Sequence, residues 1–221
     1  MISIIQSNNQ AAALMHQGQY TEAIAYAKNG ITQLRDAVFR QEETWRASKR
    51  FATPLISMIS IEETKSTLKL ASKSDSDNTF SAYKRAMFFP DEHLCVAQYQ
   101  REVAAVLLFN LAMSKHMLGT QGAGSSKHLE GALQVYKLSL SALQHASSPI
   151  AGPLALLMLG NFANIGHIQS HFWRKQEAEE CLDHIHHLLP HATDADMQEQ
   201  EFFVVALMTG RLCRSDMAPA A

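Results

Sequence analysis

The chain has 221 residues, of which 47% are apolar and 18% charged, so it can bury a sizeable core and is neither a disordered nor a membrane-embedded polypeptide by composition. Its net charge of −2 comes from interspersed acids and bases and provides no basic field for nucleic acid. The three cysteines, Cys95, Cys181 and Cys213, are isolated and form no C-x-x-C pair, which fits a reducing compartment.

In chain order, the first element is a helical hairpin over 1–39. It carries Asn9, Ala11, Gly18, Tyr20 and Ala23, with apolar residues at helical spacing. An insertion follows over 40–92. Ala37 to Lys49 extends the second helix until Pro54 breaks it, and Trp45, like Trp173 further along, reads as a packing anchor. The run 55–61 is β-prone, 72–78 is polar and turn-rich, and 80–89 is aromatic and ends at Pro90. This pattern admits a small two-stranded ribbon from 55–61 and 80–89, leaning on the helices.

A second hairpin is expected over 93–148, with Asn110, Ala112, Gly119 and Ala132 in the same relative order and a loop over 119–126. A third spans 149–190, with Asn164, Gly166, Trp173 and Ala178, closed by Pro190. Its apolar stretch 150–168 is interrupted by Gly152, Pro153, Gly160, Asn161, Asn164 and Gly166, which makes it a poor membrane span. Over 194–214, Asp196 and Glu199 have capping-box spacing, and Phe202, Phe203, Ala206 and Leu207 recur at helical intervals. That element reads as a helix covering the last hairpin's bare face. Residues 1–10 have no charged segment leading into an apolar run, so no leader is expected and the default location is cytoplasmic.

The three hairpin patterns resemble tetratricopeptide (TPR) repeats. A small residue late in the first helix (Ala11, Ala112, Gly166) lets the second approach. A turn glycine caps the first helix at Gly18 and Gly119, with Trp173 standing there in the third copy. Ala23, Ala132 and Ala178 sit where the two helices cross. The resemblance implies an all-α fold: about three TPR-like hairpins and a capping helix in one domain over 1–221. Spacing of Ala132 and Ala178 by 46 residues, against the usual ~34, is nearer the long repeats of kinesin-light-chain-like proteins.

Asn9, Asn110 and Asn164 occupy one position in all three copies, two residues before the small residue. A carboxamide has an acceptor and two donors, so it can pair with both main-chain groups of an extended peptide. The resemblance implies that such a ladder grips a ligand backbone in a concave groove. Equally, each amide could bond inside the array and fix helix spacing. On the same face lie Ala12, Met15 and His16, then Met113, His116 and Met117, then His167, Ser170 and His171. Methionine there would suit an adaptable apolar surface and histidine a mildly pH-sensitive one, while packing against neighbouring helices is the plainer use.

A carboxylate clamp is not expected, because Asn8, Ala12, Gly160 and Asn164 stand where such TPR proteins have cations and only Asn110 fits the clamp pattern. No nucleophile elbow or phosphate loop is present, since the glycines over 119–126 lack the following Lys. The expected function is therefore a non-catalytic scaffold for another protein or peptide, without cofactor, metal, nucleic acid or membrane, and with homo-oligomerisation open. The alternative is a ligand- or metal-binding enzyme domain on the His-rich third hairpin, using His167, His171, His184 and His187.

Overall fold

Seven α-helices and one two-stranded ribbon are seen among the residues described by the computed structural model, which are 3–41, 56–60, 80–90, 96, 99–122, 125–144, 150–192 and 197–215. Trp45, the 72–78 loop, Cys95 and the Asp196 helix start lie outside these residues. The chain divides into two compact units. Unit 1 comprises Met1–Glu63 with Lys84–Pro149, and unit 2 comprises Thr64–Tyr83 with Ile150–Ala221. The insertion is thus shared between them.

Unit 1 begins with α1 (Ile4–His16), started by a reciprocal capping box. The Gln6 N–H donates to Ser3 Oγ at 3.1 Å and the Ser3 N–H to Gln6 Oε1 at 3.0 Å, satisfying two donors that a helix start leaves unpaired. The helix ends as expected at Gly18, whose φ of +75° is left-handed. There the Gly18 N–H donates to Met15 O at 3.0 Å and the Gln19 N–H to Leu14 O at 2.9 Å, a Schellman pair.

Helix α2 (Tyr20–Gln41) turns Tyr20, Ala23, Ala27, Gly30 and Leu34 inward at three- and four-residue intervals. At Gly30 a Cβ would lie 2.7 Å from Leu107 Cδ2 and 3.4 Å from Ser7 Cβ, so the glycine admits close packing on two sides. Leu107 belongs to α3 (Gln100–Thr120), which packs on α2 and, more extensively, on α4 (Ser125–Gln144). From α4, Leu129, Leu133, Tyr136, Leu140 and Leu143 face inward. Gly119 is not the turn residue expected from the sequence. It lies within α3, where a Cβ would sit 2.7 Å from Leu129 Cδ2, so its lack of a side chain serves helix packing.

Helix α3 is also the one described helix long and apolar enough to cross a bilayer, with mean hydropathy 1.3 over its 18-residue window. Since 72% of that window is buried within the protein, core packing accounts for its apolarity. The ribbon pairs β1 (Ser57–Ser60) antiparallel with β2 (Arg85–Phe88), in the register Ser57 to Phe88 and Ser60 to Arg85. On its other side β2 packs against α1 and α3.

Unit 2 contains the third hairpin. Helix α5 (Pro153–His171) starts with Pro at its first position after Gly152, whose φ is +52°. Helix α6 (Lys175–Leu188) buries the single stripe Ala178, Cys181, Leu182 and Ile185. A 3-10 turn, Leu189–His191, closes the hairpin, and the Gly152 N–H donates to His191 O at 3.0 Å. Helix α7 (Met197–Ser215) packs on α5 and α6 with Phe203, Ala206 and Leu207 buried.

Between α5 and α6 the turn has the hydrogen bonds of the Gly18 turn. The Trp173 N–H donates to Ser170 O at 3.0 Å and the Arg174 N–H to Gln169 O at 2.9 Å. Trp173 is therefore left-handed, with φ +58°, and it is 83% exposed. Its expected role as a packing anchor is corrected by that exposure. The turn geometry, rather than burial, governs this position.

Candidate functional site: asparagines that hold an extended strand

In unit 1 the asparagines of the first two hairpins converge on β2 and the residue after it. Asn110, on α3, accepts from the Met87 N–H through Oδ1 at 3.0 Å and donates from Nδ2 to Met87 O at 2.6 Å. Asn9, on α1, accepts from the Phe89 N–H at 2.9 Å and donates to Phe89 O at 2.7 Å. Each amide thus closes a two-bond ring with both main-chain groups of one residue, imitating the exchange between paired strands. Main-chain groups of successive strand residues point to opposite edges, so Met87 and Phe89 serve the asparagines while Ala86 and Phe88 face β1.

Asn8 completes this set, although the sequence reading gave it no role beyond lacking a charge. Its Nδ2 donates to Met87 O at 3.0 Å, and its Oδ1 accepts from Asn110 Nδ2 at 2.9 Å. A further, longer contact of 3.4 Å joins Asn8 Nδ2 to Asn9 Oδ1. Asn8 and Asn110 are fully buried and Asn9 is half-buried. Tandem asparagines in the first half of α1, beside the apolar Ile5, Ala11, Ala12 and Met15, were the signal available for Asn8. Recognising it requires knowing that a strand lies alongside.

Asn164 does the same in unit 2. Its Oδ1 accepts from the Tyr83 N–H at 2.8 Å and its Nδ2 donates to Tyr83 O at 3.1 Å. The Tyr83 ring is stacked on Phe203, with centroids 5.1 Å apart, and tilted against Phe202 at 5.3 Å. Its hydroxyl is 3.5 Å from Glu199 Oε1. At Gly166 the nearest neighbour is the insertion. A Cβ there would meet the Phe80 ring at 2.4 Å, so the bare backbone makes room for a residue of the insertion.

Four of the other five predicted site residues are buried. Met113, His116 and Met117 are buried in unit 1. His116 Nδ1 lies 3.3 Å from the Tyr136 hydroxyl, which also contacts Met113 Sδ at 3.8 Å. These side chains pack toward α4, and the expectation that they line an open groove is corrected accordingly. His167 is buried, whereas His171 is exposed, with its ring edge-on to Phe172. His184 stacks on Phe162 at 4.4 Å, which accounts for its position by packing. Among the described residues, no three His, Cys, Asp or Glu side chains are grouped to hold a metal ion.

One cation in unit 1 is perturbed. Burial, and secondarily the charge of Lys28, lower Lys115 below its ordinary value of 10.5. No protein-family model, curated protein or solved structure matches the chain.

Proposed function

We propose that the protein is a non-catalytic interaction module of TPR-like helical hairpins that holds an extended segment of another protein by its main chain. The observation that carries this reading is the pair of two-bond rings made by Asn9 and Asn110 on alternate residues of one strand. An amide that reads only N–H and C=O accepts any extended chain, and selectivity then falls to the sites that take alternate side chains. Asn164 repeats the device in unit 2. The near-neutral charge favours a protein partner over nucleic acid. Cys181, a buried thiol, suits the cytoplasmic setting that belongs to the same proposal. Of the histidines in the enzyme alternative, His184 is accounted for by packing on Phe162.

A peptide array probed with the purified chain tests this reading. Peptides retained by the wild type are expected to be lost with Asn110→Ala/Asn164→Ala, in protein whose circular dichroism is still helical. Identical binding patterns for both proteins would remove the asparagines as the recognition element.

A further inference from the structure

We infer that β2, with Phe89 after it, is a self-ligand of Asn8, Asn9 and Asn110, holding in cis the position that a partner's extended segment takes over. This rests on the reading above and adds to it the partner's chemistry and its regulation. Three observations lead here. Besides one another, the asparagines bond only the main chain of Met87 and Phe89, so nothing in the polar contact is private to this strand. The amides of Asn8 and Asn110 are wholly buried with the strand in place, and apart from the bonds the asparagines make among themselves their polar atoms are satisfied by the Met87 main chain. Finally, β2 belongs to the insertion, while α1, α2, α3 and α4 pack on one another directly. The site is therefore shaped for an extended chain, and the helices beside it have their own contacts.

The resident strand also defines what can replace it. Met87 and Phe89 lie on one face and are fully buried, and Ala86 on the other face is equally buried. A competing segment needs a small residue followed by large apolar residues at the next and third positions, in extended conformation. Charged side chains there would be desolvated without partners. Because the resident strand is tethered, its effective concentration is on the order of millimolar, and a partner of moderate affinity competes poorly until the strand is weakened. The arrangement is autoinhibitory.

The test uses the full chain carrying Met87→Pro/Phe89→Pro. Proline has no N–H, so it withdraws the donors that Asn110 and Asn9 accept and leaves the remainder of the chain in place. The probe is a fluorescein-labelled synthetic peptide of residues 84–92, followed by anisotropy. The peptide is expected to bind the variant about tenfold or more tighter than wild type, the margin that release of a tethered competitor provides. Adding Asn110→Ala to the variant should abolish that gain. Equal affinity for wild type and variant, or a gain indifferent to Asn110, would overturn the proposal. Should the proline variant lose helicity, recovery of the helical signal on adding the peptide supports the self-ligand, and no recovery overturns it. If wild type binds array peptides through its asparagines while the proline variant gains nothing, only the self-ligand falls. If neither protein binds any peptide in an Asn110-dependent way, the interaction reading falls with it.

Discussion

The ring of Phe80 fills the space that a side chain on Gly166 would need: a Cβ there would lie 2.4 Å from Phe80 Cε1 and 2.6 Å from Cζ. Both residues are buried, so the ring has little room to retreat. Gly166→Ala gains about 1 kcal/mol of helix propensity, but overpacking a filled core costs about 1–3 kcal/mol. The clash should win. We expect net destabilisation in urea unfolding, reversing to stabilisation in a Phe80→Ala background. A more stable Gly166→Ala in the native background would contradict the packing described.

Asn110 should be more sensitive to charge than to size. Asn110→Ala leaves the Met87 N–H buried without its acceptor, at a cost of about 1–3 kcal/mol. Asn110→Asp keeps that acceptor but places a buried carboxylate against Met87 O and Asn8 Oδ1, both acceptors. Burial and these acceptors raise the introduced carboxyl's folded pKa above its unfolded value, so the folded state binds the proton more tightly. The Asp variant should therefore lose stability relative to wild type as pH rises from the ordinary carboxylate range up through the raised folded pKa, and recover as pH falls. Parallel pH profiles for the Asp and Ala variants would argue against this geometry.

At the third hairpin's turn, Trp173→Gly should raise the melting temperature. A left-handed non-glycine residue costs roughly 1–2 kcal/mol, against about 0.5–1 kcal/mol for glycine's extra freedom in the unfolded chain. Trp173 is 83% exposed, so little burial is lost with it. The reciprocal change, Gly18→Trp, should destabilise by a similar margin. Calorimetry showing a lower midpoint for Trp173→Gly would mean that the indole makes contacts beyond those described.

Lys115 predicts an alkaline effect of definite sign. Its folded pKa is lowered beneath 10.5 by burial first and Lys28 second. Between the lowered value and 10.5 the unfolded chain holds more protons, so this residue makes stability rise with pH across that window. Lys115→Gln should be more stable than wild type at neutral pH, with the difference shrinking toward pH 10.5. Lys28→Gln should give part of the same gain. A difference that widens at alkaline pH would reverse the assignment.

Much of the helical architecture is legible in the sequence because its causes are local. Gly18 ends α1 through its own left-handed φ, and Ala178, Cys181, Leu182 and Ile185 recur at the spacing that puts one stripe inward. The equivalence of Trp173 with Gly18 is also visible in the repeat alignment, and the two turns share their hydrogen bonds. The same local logic misassigned Gly119. A glycine in a turn and a glycine under a neighbouring side chain look alike until the neighbour is known.

The asparagines divide the two kinds of information most sharply. Their repetition at one helical position, and the capacity of an amide to serve both main-chain groups of a residue, can be read from the chain alone. What they hold cannot, since Phe89 lies 80 residues from Asn9 and Met87 lies 23 from Asn110. Periodicity reports which face of a helix is turned inward, and caps report where it ends, because both depend on residues within a turn or two. The identity of the extended strand depends on how a distant insertion folds back. Desolvation around the buried amides rewards that return only once the helices are packed, and so it leaves no mark in the local spacing of residues.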